Sequence, residues 1–206
     1  MPRQMPLFEE PLTTRGVAAI VRIAGVEGLP SAERRADNAH YQEVVCRSAL
    51  NRVKGMAFRW TLNPYRGCTH ACEYCYARRY QSQLEMGAGD EFSSYIFVKR
   101  NVADVLARQL HAPSWRCELV ALGTATDPYQ PIEGRYRLTR ACLAHLDAAN
   151  TPVGLVTKGP MVVRDADVLA RMSQRGLARV YVSVPTVDPV WEQLEPGTAP
   201  PRPGTV

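Results

Sequence analysis

Residues 58–78, FRWTLNPYRGCTHACEYCYAR, are the stretch around which the rest of the chain is organised. Its first five residues predict a strand that ends before Pro64, and the pattern from Tyr76 to about residue 86 predicts a helix. The loop between them holds three cysteines within eight residues, Cys68, Cys72 and Cys75. Thiolates at this C-x3-C-x2-C spacing can converge on one metal ion or cluster. Closed zinc and iron-sulfur sites take four protein ligands. Three cysteines therefore indicate one coordination position that is open to another group.

The composition indicates one soluble globular unit. The chain has 206 residues, of which 46% are hydrophobic and 22% charged, so it can bury a sizeable core. The net charge of +5 gives slight support to nucleic-acid binding. The N-terminus lacks the apolar core of a secretion signal, and no apolar run approaches the roughly 20 residues that span a bilayer. We therefore expect a cytoplasmic protein with no membrane partner.

Short apolar runs alternate with amphipathic segments after the cysteine loop. Further strands are predicted at residues 95–98, 118–122, 152–156 and 180–184. Helices are predicted after most of these strands, the last of them capped by Asp165 and ended by Gly176. Alternation of this kind is typical of a parallel sheet covered by helices. The predicted fold class is α/β, a partial parallel (β/α) barrel or open arc that is truncated after about five strands.

The chain divides into three parts by composition. Residues 1–40, which Pro and Gly interrupt, predict a loosely structured leader, and residues 41–195 predict the ordered core. Residues 196–206 are rich in Pro and Gly and predict a flexible tail. A five-stranded arc leaves an open sheet edge. This indicates either that the chain is incomplete relative to related proteins or that it closes by partnering.

Polar residues follow the predicted strands, at the end where parallel β/α folds carry their functional groups. They are Lys99, Thr124, Asp127, Lys158 and Ser183, and Gly123 precedes Thr124 at the end of its strand. The compact ammonium of Lys158 suits a carboxylate ligand. For Asp127, a role as the turn residue before Pro128 is an equal alternative, and for Lys99 a solvated position is equally consistent with the sequence.

A structural zinc site is the alternative to a cluster at the three cysteines, with His70 or the distant Cys117 as fourth ligand. The triplet follows a strand and enters a helix, and cationic side chains flank it, which favours an anionic thiolate cluster. The remaining cysteines, Cys46, Cys117 and Cys142, are predicted to be small buried hydrophobic residues.

The cysteine triplet, with Tyr74 immediately before its third member, resembles the signature of radical S-adenosylmethionine (radical SAM) enzymes. In that family three cysteines bind a 4Fe-4S cluster, SAM chelates the fourth iron, and reductive cleavage of SAM yields a 5′-deoxyadenosyl radical. The resemblance implies Cys68, Cys72 and Cys75 as metal ligands and a 4Fe-4S cluster and SAM as cofactors. It also implies a reducing electron donor such as ferredoxin or flavodoxin as a partner.

Further motifs resemble the branch related to spore photoproduct lyase, also called DNA repair photolyase-like. They are NPYRGC at 63–68, CYAR at 75–78, IFVK at 96–99, TDPYQP at 126–131, TK at 157–158 and LEPGT at 194–198. The resemblance makes residues 41–195 a radical SAM core. It implies that Tyr74 lies against the cluster and adenine and that the strand end from Gly123 to Asp127, with Thr124, approaches the methionine amino group.

The same resemblance assigns the remaining site residues. Lys158 and Ser183 are implied to face the SAM carboxylate or ribose, and Tyr76 matches a tyrosine of the lyase's radical pathway. Tyr76 and Lys158 are therefore the catalytic candidates. Thr124 stands where the lyase has its hydrogen-donating cysteine, and a threonine O–H bond is too strong to replace S–H. The lyase's relatives also continue beyond residues 194–198, so the chain resembles an N-terminal portion.

The expected function is that of a radical SAM enzyme, lyase-like or unassigned, which abstracts hydrogen from an unknown substrate. Nucleic acid is a candidate partner because of the branch that the motifs resemble. The alternatives are a non-catalytic module stabilised by zinc or an iron-sulfur cluster that binds nucleic acid, and an inactive truncated fragment.

Overall fold

The structure is a computed structural model that describes residues 36–72, 74–84 and 89–184. The strands in this part are β1 (His40–Val44), β2 (Leu50–Arg52), β3 (Trp60–Leu62), β4 (Tyr65–Arg66), β5 (Tyr95–Lys99), β6 (Val120–Leu122), β7 (Val153–Thr157) and β8 (Ala178–Val182). The α-helices are α1 (Glu91–Ser94), α2 (Val102–Leu110), α3 (Glu133–Tyr136), α4 (Leu138–Ala148) and α5 (Ala166–Gln174). The segments Tyr76–Leu84 and Pro160–Asp165 are 3-10 helices.

The larger sheet has five strands in the order β2-β3-β6-β7-β8. The last four of these strands run parallel, and β2 is antiparallel to β3. Helices α2, α4 and α5 supply apolar side chains to the same core as the buried residues of β6 and β7. The predicted α/β class with a parallel sheet is confirmed.

Strand β5 lies outside this sheet, although the sequence pattern predicts it as a member of one parallel series. Strand β3 pairs directly with β6, with Leu62 opposite Leu122, and its other edge pairs with β2. Because both edges of β3 are occupied, β5 forms a second sheet of three strands, parallel to β1 and antiparallel to β4. The chain reaches β4 by turning at Pro64, immediately after β3.

The helices bury the apolar faces that their spacing predicts. In α2 these residues are Val102, Val105, Leu106 and Leu110, and in α4 they include Leu138, Cys142, Leu143 and Leu146. In α5 they are Val168, Leu169 and Met172. Strand β7 alternates, with Val153, Leu155 and Thr157 buried and Val156 exposed. The alternation places the helical layer on one face of the sheet.

Two smaller predictions are wrong. Asp165 stands at the N-cap position of α5, but its side chain makes no cap hydrogen bond and is instead fully buried among ionic partners. Cys117 is exposed and has a left-handed backbone with φ of 51°, so it is not a core thiol. Cys142 is fully buried as predicted, and Cys46 is half-buried against the core.

The predicted leader and tail lie largely outside the described residues, which omit 1–35 and 185–206. The strand predicted at residues 180–184 corresponds to β8, which begins earlier, at Ala178. None of the helices in the described part is long and apolar enough to cross a membrane.

A close approach between two loops leads to a test of this packing. Gly159 follows β7, and a Cβ placed on it would lie 2.5 Å from the carbonyl oxygen of Tyr129. We expect Gly159→Ala to lower the free energy of unfolding by about 1–3 kcal/mol, because the backbone must move to make room. Urea denaturation measures this change.

Gly89 provides the matched control for that substitution. A Cβ on Gly89 meets nothing within 4 Å, so Gly89→Ala should change the free energy of unfolding by less than about 0.5 kcal/mol. Equal stability of the two variants would contradict the contact between Gly159 and Tyr129.

Candidate metal centre

The three cysteines lie on a tightly held loop between β4 and the 3-10 helix Tyr76–Leu84. The loop begins at Gly67, whose φ is +80°, and a Cβ there would lie 2.5 Å from the carbonyl oxygen of Tyr95. The backbone N–H of Cys68 donates to the carbonyl of Phe92 at 2.9 Å. Cys68 and Cys72 are buried, and Cys75 is half-buried. The loop therefore enters the body of the protein with two thiols inside and the third near the surface.

Arg78 holds the middle of this loop from the following helix. Its guanidinium donates to the carbonyl of Cys72 at 2.9 Å and to that of Ala71 at 2.7 Å. Ala71 has a left-handed backbone with φ of 56°, which is unfavourable for a residue with a Cβ. The two charge-assisted hydrogen bonds offset part of this cost and hold the turn that carries Cys72.

The thiols influence one another's ionisation. Burial raises the pKa of the Cys68 thiol, and the nearby charges of Asp127 and Cys72 raise it further. Burial also raises the pKa of Cys75, and the charge of Cys72 adds to that shift. A bound cationic group would favour the thiolate forms, because it replaces repulsion among three anions by attraction.

Lys158 brings a positive charge to this group from the end of β7. Its ammonium donates a hydrogen bond to the Tyr74 hydroxyl and lies 4.8 Å from the centroid of the Tyr74 ring. Burial lowers the pKa of Lys158, but hydrogen bonds with Tyr74 and Cys72 raise it, and the net direction is upward. The structure therefore brings together the predicted site residues Cys72, Tyr74 and Lys158.

The ends of β3 and β6 are joined by Asn63. Its side-chain oxygen accepts from the backbone N–H of Ala125 at 2.9 Å, and its amide donates to the Thr124 hydroxyl at 3.2 Å. Lys99 is one of the residues predicted at the strand ends, which together we call the rim. It donates to the backbone carbonyl of Asn63 at 2.8 Å. Tyr76 donates from its hydroxyl to the carbonyl of Thr124. Tyr76 and Thr124 are thus in contact, and Lys99 is a support for the strand end.

Asp127 organises the turn that follows β6. One carboxylate oxygen accepts from the Thr157 hydroxyl at 2.6 Å and from the backbone N–H of Tyr129 at 2.8 Å. The other accepts from the backbone N–H of Lys158 at 2.7 Å and lies 3.5 Å from His70 Nε2. These contacts support the turn role of Asp127. Its predicted contact with SAM stays a prediction.

Gly123 and Ser183 lie beside the end of β7. The backbone N–H of Ser183 donates to the carbonyl of Thr157 at 2.8 Å. Gly123 has φ of +91°, and a Cβ there would lie 2.4 Å from the carbonyl oxygen of Val156, so the close approach requires glycine. Gly123, the Asp127 turn, Lys158 and the backbone of Ser183 therefore lie together at the C-terminal ends of β6, β7 and β8.

A buried ionic network, which the sequence did not reveal, supports the loop that carries Tyr129. Glu133 and Asp165 are both fully buried. Arg164 bridges them at 2.7 and 2.9 Å, and Arg140 contacts Asp165 at 3.0 Å. Each carboxylate also accepts a tyrosine hydroxyl, Glu133 from Tyr65 and Asp165 from Tyr129. Burial and the adjacent carboxylates raise the pKa of both tyrosines, so the phenols stay protonated and donate.

This network leads to a prediction about stability. Arg164→Met leaves two buried carboxylates without their shared cation, so we expect the free energy of unfolding to fall by about 3–5 kcal/mol. Urea denaturation again measures the change. The control is Arg171→Met. The Arg171 side chain pairs with Asp147 and is 55% exposed, so its loss should lower the free energy of unfolding by less than about 1 kcal/mol. Similar costs for the two variants would contradict the structural role of the network.

The cysteine loop offers thiol and hydroxyl groups to a bound metal group. Within residues 36–72, 74–84 and 89–184, no three His, Cys, Asp or Glu side chains form a ready-made metal site. Three free cysteines on one loop nevertheless match the donor set of an iron-sulfur cluster. The Thr69 hydroxyl, next to Cys68, is buried and has no hydrogen-bond partner among the described residues. It is available to donate to a group bound on the loop, so the residues fit such a cluster.

The comparison with protein families agrees with this arrangement. The sequence model of the radical SAM superfamily matches residues 62–200, which include the cysteine loop and strands β6 to β8. The chain belongs to the radical SAM superfamily.

Individual relatives extend the comparison. The chain is similar to an uncharacterised protein of Mycobacterium tuberculosis, with 45% identity over 170 residues, 81% of this chain and 50% of that protein. It is also similar to an uncharacterised protein of Methanocaldococcus jannaschii, with 28% identity over 131 residues, 64% of this chain and 47% of that protein. The chain therefore spans about half the length of these relatives.

A solved structure shares the fold. A mutant of spore photoproduct lyase superposes with a TM-score of 0.57 at 20% sequence identity, over 85% of this chain and 50% of the lyase chain. At this identity the likeness shows a common fold. Together with the family match, it confirms the predicted resemblance to radical SAM proteins.

Proposed function

We propose that the protein is a radical SAM enzyme in which Cys68, Cys72 and Cys75 hold a 4Fe-4S cluster. The observation that carries this proposal is the placement of three free cysteines on one loop, which also carries the Tyr74 ring that Lys158 contacts from the C-terminal end of β7. With SAM, the bound cluster supplies a 5′-deoxyadenosyl radical for hydrogen abstraction. Such chemistry belongs to the cofactors, and the chain supplies binding, orientation and exclusion of water.

The residues at the strand ends and on the cysteine loop have separate roles in this proposal. The ammonium of Lys158 is the cation available to the SAM carboxylate, and the exposed ring of Tyr74 offers an aromatic face to adenine. Gly123 keeps the strand end free of a side chain, and Ser183 offers a hydroxyl at the end of β8. Thr124 and Tyr76 stand together beside the cysteine loop, where Tyr76 is the proposed member of the radical pathway.

We propose a substrate related to nucleic acid. The similarity to spore photoproduct lyase and the net charge of +5 support a nucleic-acid-related substrate. Thr124 offers no thiol, so we propose an activity that differs from that of the lyase in its hydrogen-donating step. An electron donor such as ferredoxin or flavodoxin is the expected partner.

Anaerobic reconstitution tests the metal assignment. We expect about four iron and four sulfide per chain, because three thiolates are the protein ligands of such a cluster. Cys72→Ala should lose most of this iron, whereas Cys117→Ala, which removes an exposed cysteine elsewhere, should keep it. Iron and sulfide analysis with absorption spectroscopy makes the measurement. About one zinc per chain with no sulfide would favour the structural metal module instead.

Substitution of Lys158 tests the SAM site. We expect Lys158→Met to weaken SAM binding about 10- to 100-fold, because a charge-assisted hydrogen bond to the carboxylate is lost. Calorimetry on reconstituted protein of equal iron content measures the affinity. The control is Lys54→Met, which removes an exposed lysine from the loop after β2. This variant should bind SAM as the wild type does.

Release of 5′-deoxyadenosine on adding SAM and a strong reductant then shows whether the reconstituted chain cleaves SAM. An iron-loaded wild type that binds no SAM and releases none of this product would overturn the enzymatic proposal. Salt-dependent DNA binding by such a protein would favour the nucleic-acid-binding module.

A further inference from the structure

Gln130 is a buried amide that the proposed chemistry does not use, and it contacts the cysteine loop directly. Its side chain is fully buried. The amide nitrogen donates to the backbone carbonyl of Gly67 at 3.2 Å, and the side-chain oxygen accepts from the backbone N–H of Thr69 at 3.2 Å. These two residues are the immediate neighbours of Cys68 in the chain.

The two hydrogen bonds fix the peptide groups on both sides of Cys68. The Gly67 carbonyl belongs to the peptide bond that precedes the Cys68 Cα, and the Thr69 N–H belongs to the bond that follows it. The backbone N–H of Cys68 is held in addition by Phe92 at 2.9 Å. With both flanking peptide planes held, the two backbone dihedral angles of Cys68 are fixed.

Thr126 completes this clamp. Its hydroxyl donates to the Gly67 carbonyl at 2.6 Å and accepts from the Gln130 amide at 2.9 Å. A glutamine is suited to the position because its side chain donates and accepts at once, whereas a glutamate would face the Gly67 carbonyl without a proton to donate. At Cys72 the backbone carbonyl accepts from Arg78 at 2.9 Å.

We propose that Gln130, with Thr126, is a positioning residue that holds Cys68 in the backbone conformation needed to bind the metal cluster. The part of this inference that concerns the cluster rests on the proposed function. The part that concerns Cys68 itself applies to the metal-free protein as well. The clamp acts through backbone atoms, so it moves no charge and touches no reacting atom.

The chain offers a matched control in Gln109 of α2. Its side-chain oxygen accepts from the backbone N–H groups of Ala49 and Leu50 at 2.9 and 3.1 Å, and its amide donates to the Ser48 hydroxyl at 2.9 Å. Gln109 therefore makes the same kind of amide-to-backbone clamp at a segment that holds no site residue. Loss of either glutamine removes similar hydrogen bonds, and only one of them borders a cysteine.

The first experiment measures the alkylation of Cys68 in the reduced, metal-free chain of 206 residues. Iodoacetamide labelling followed by peptide mass spectrometry gives the rate at each cysteine. We expect Gln130→Met to raise the Cys68 rate about tenfold, because less stabilisation opposes local opening of the loop. Gln109→Met should leave that rate unchanged, and the exposed Cys117 should react equally in all proteins.

The second experiment measures iron release from the reconstituted 206-residue chain to a chelator, together with the electron paramagnetic resonance spectrum of the reduced cluster. Gln130→Met should release iron at least fivefold faster and give an altered spectrum. Gln109→Met should match the wild type in both respects. Because Gln109 is only half-buried, urea denaturation of both variants checks that faster iron release does not simply follow a lower free energy of unfolding.

Thr126 keeps the inference testable if Gln130→Met does not fold. Thr126→Val removes the hydroxyl that donates to the Gly67 carbonyl, whereas Thr126→Ser keeps a hydroxyl at this position. We expect faster Cys68 alkylation in the valine variant and wild-type alkylation in the serine variant. Folded Gln130→Met or Thr126→Val protein with wild-type Cys68 alkylation overturns the inference. Failure of the wild type to take up iron overturns the proposed function instead, since the alkylation assay does not depend on metal.

Discussion

Parallel pairing of β3 with β6 is the contact on which the rest of the site depends. Leu62 lies opposite Leu122 at the end of this pair, and the backbone N–H of Gly123 continues the ladder to the Leu62 carbonyl at 3.3 Å. Because the two strands end together, the cysteine loop and the TDPYQP segment leave the sheet side by side. Asn63 then joins the two segments through the backbone of Ala125. Without this pairing, the polar residues would have no common edge.

The loops beyond that edge are held mainly by side chains that bind backbone groups. Arg78 binds the carbonyls of Ala71 and Cys72, and Asp127 binds the backbone N–H groups of Tyr129 and Lys158. Irregular segments lack the repeating ladder of a sheet or helix, so their buried backbone groups must find other partners. Most of these polar side chains therefore hold the backbone of the loops in place, and the three cysteines lie on a loop that is ordered in this way.

The buried ionic network has a different role from the rim. Glu133, Arg164 and Asp165 form a closed set with two tyrosine hydroxyls, and every member has opposite charge or a proton donor beside it. A set of this kind is a weak source of net stability, because removing the charges from water costs about as much as their attraction returns. What it does supply is a defined position for Tyr65, in β4 before the cysteine loop, and for Tyr129, next to Gln130.

The sequence by itself determined the cysteine loop, the alternation of strands and helices and the rim residues, because local spacing and periodicity carry those features. It also predicted the helical faces of α2, α4 and α5 and the buried Cys142. It did not predict the separate sheet of β5, the exposure of Cys117 or the ionic role of Asp165. Those depend on which strand edges are already occupied and which distant charges meet. Such pairings, like that of Gln130 with the flanks of Cys68, join residues far apart in the chain, so only the tertiary structure decides them.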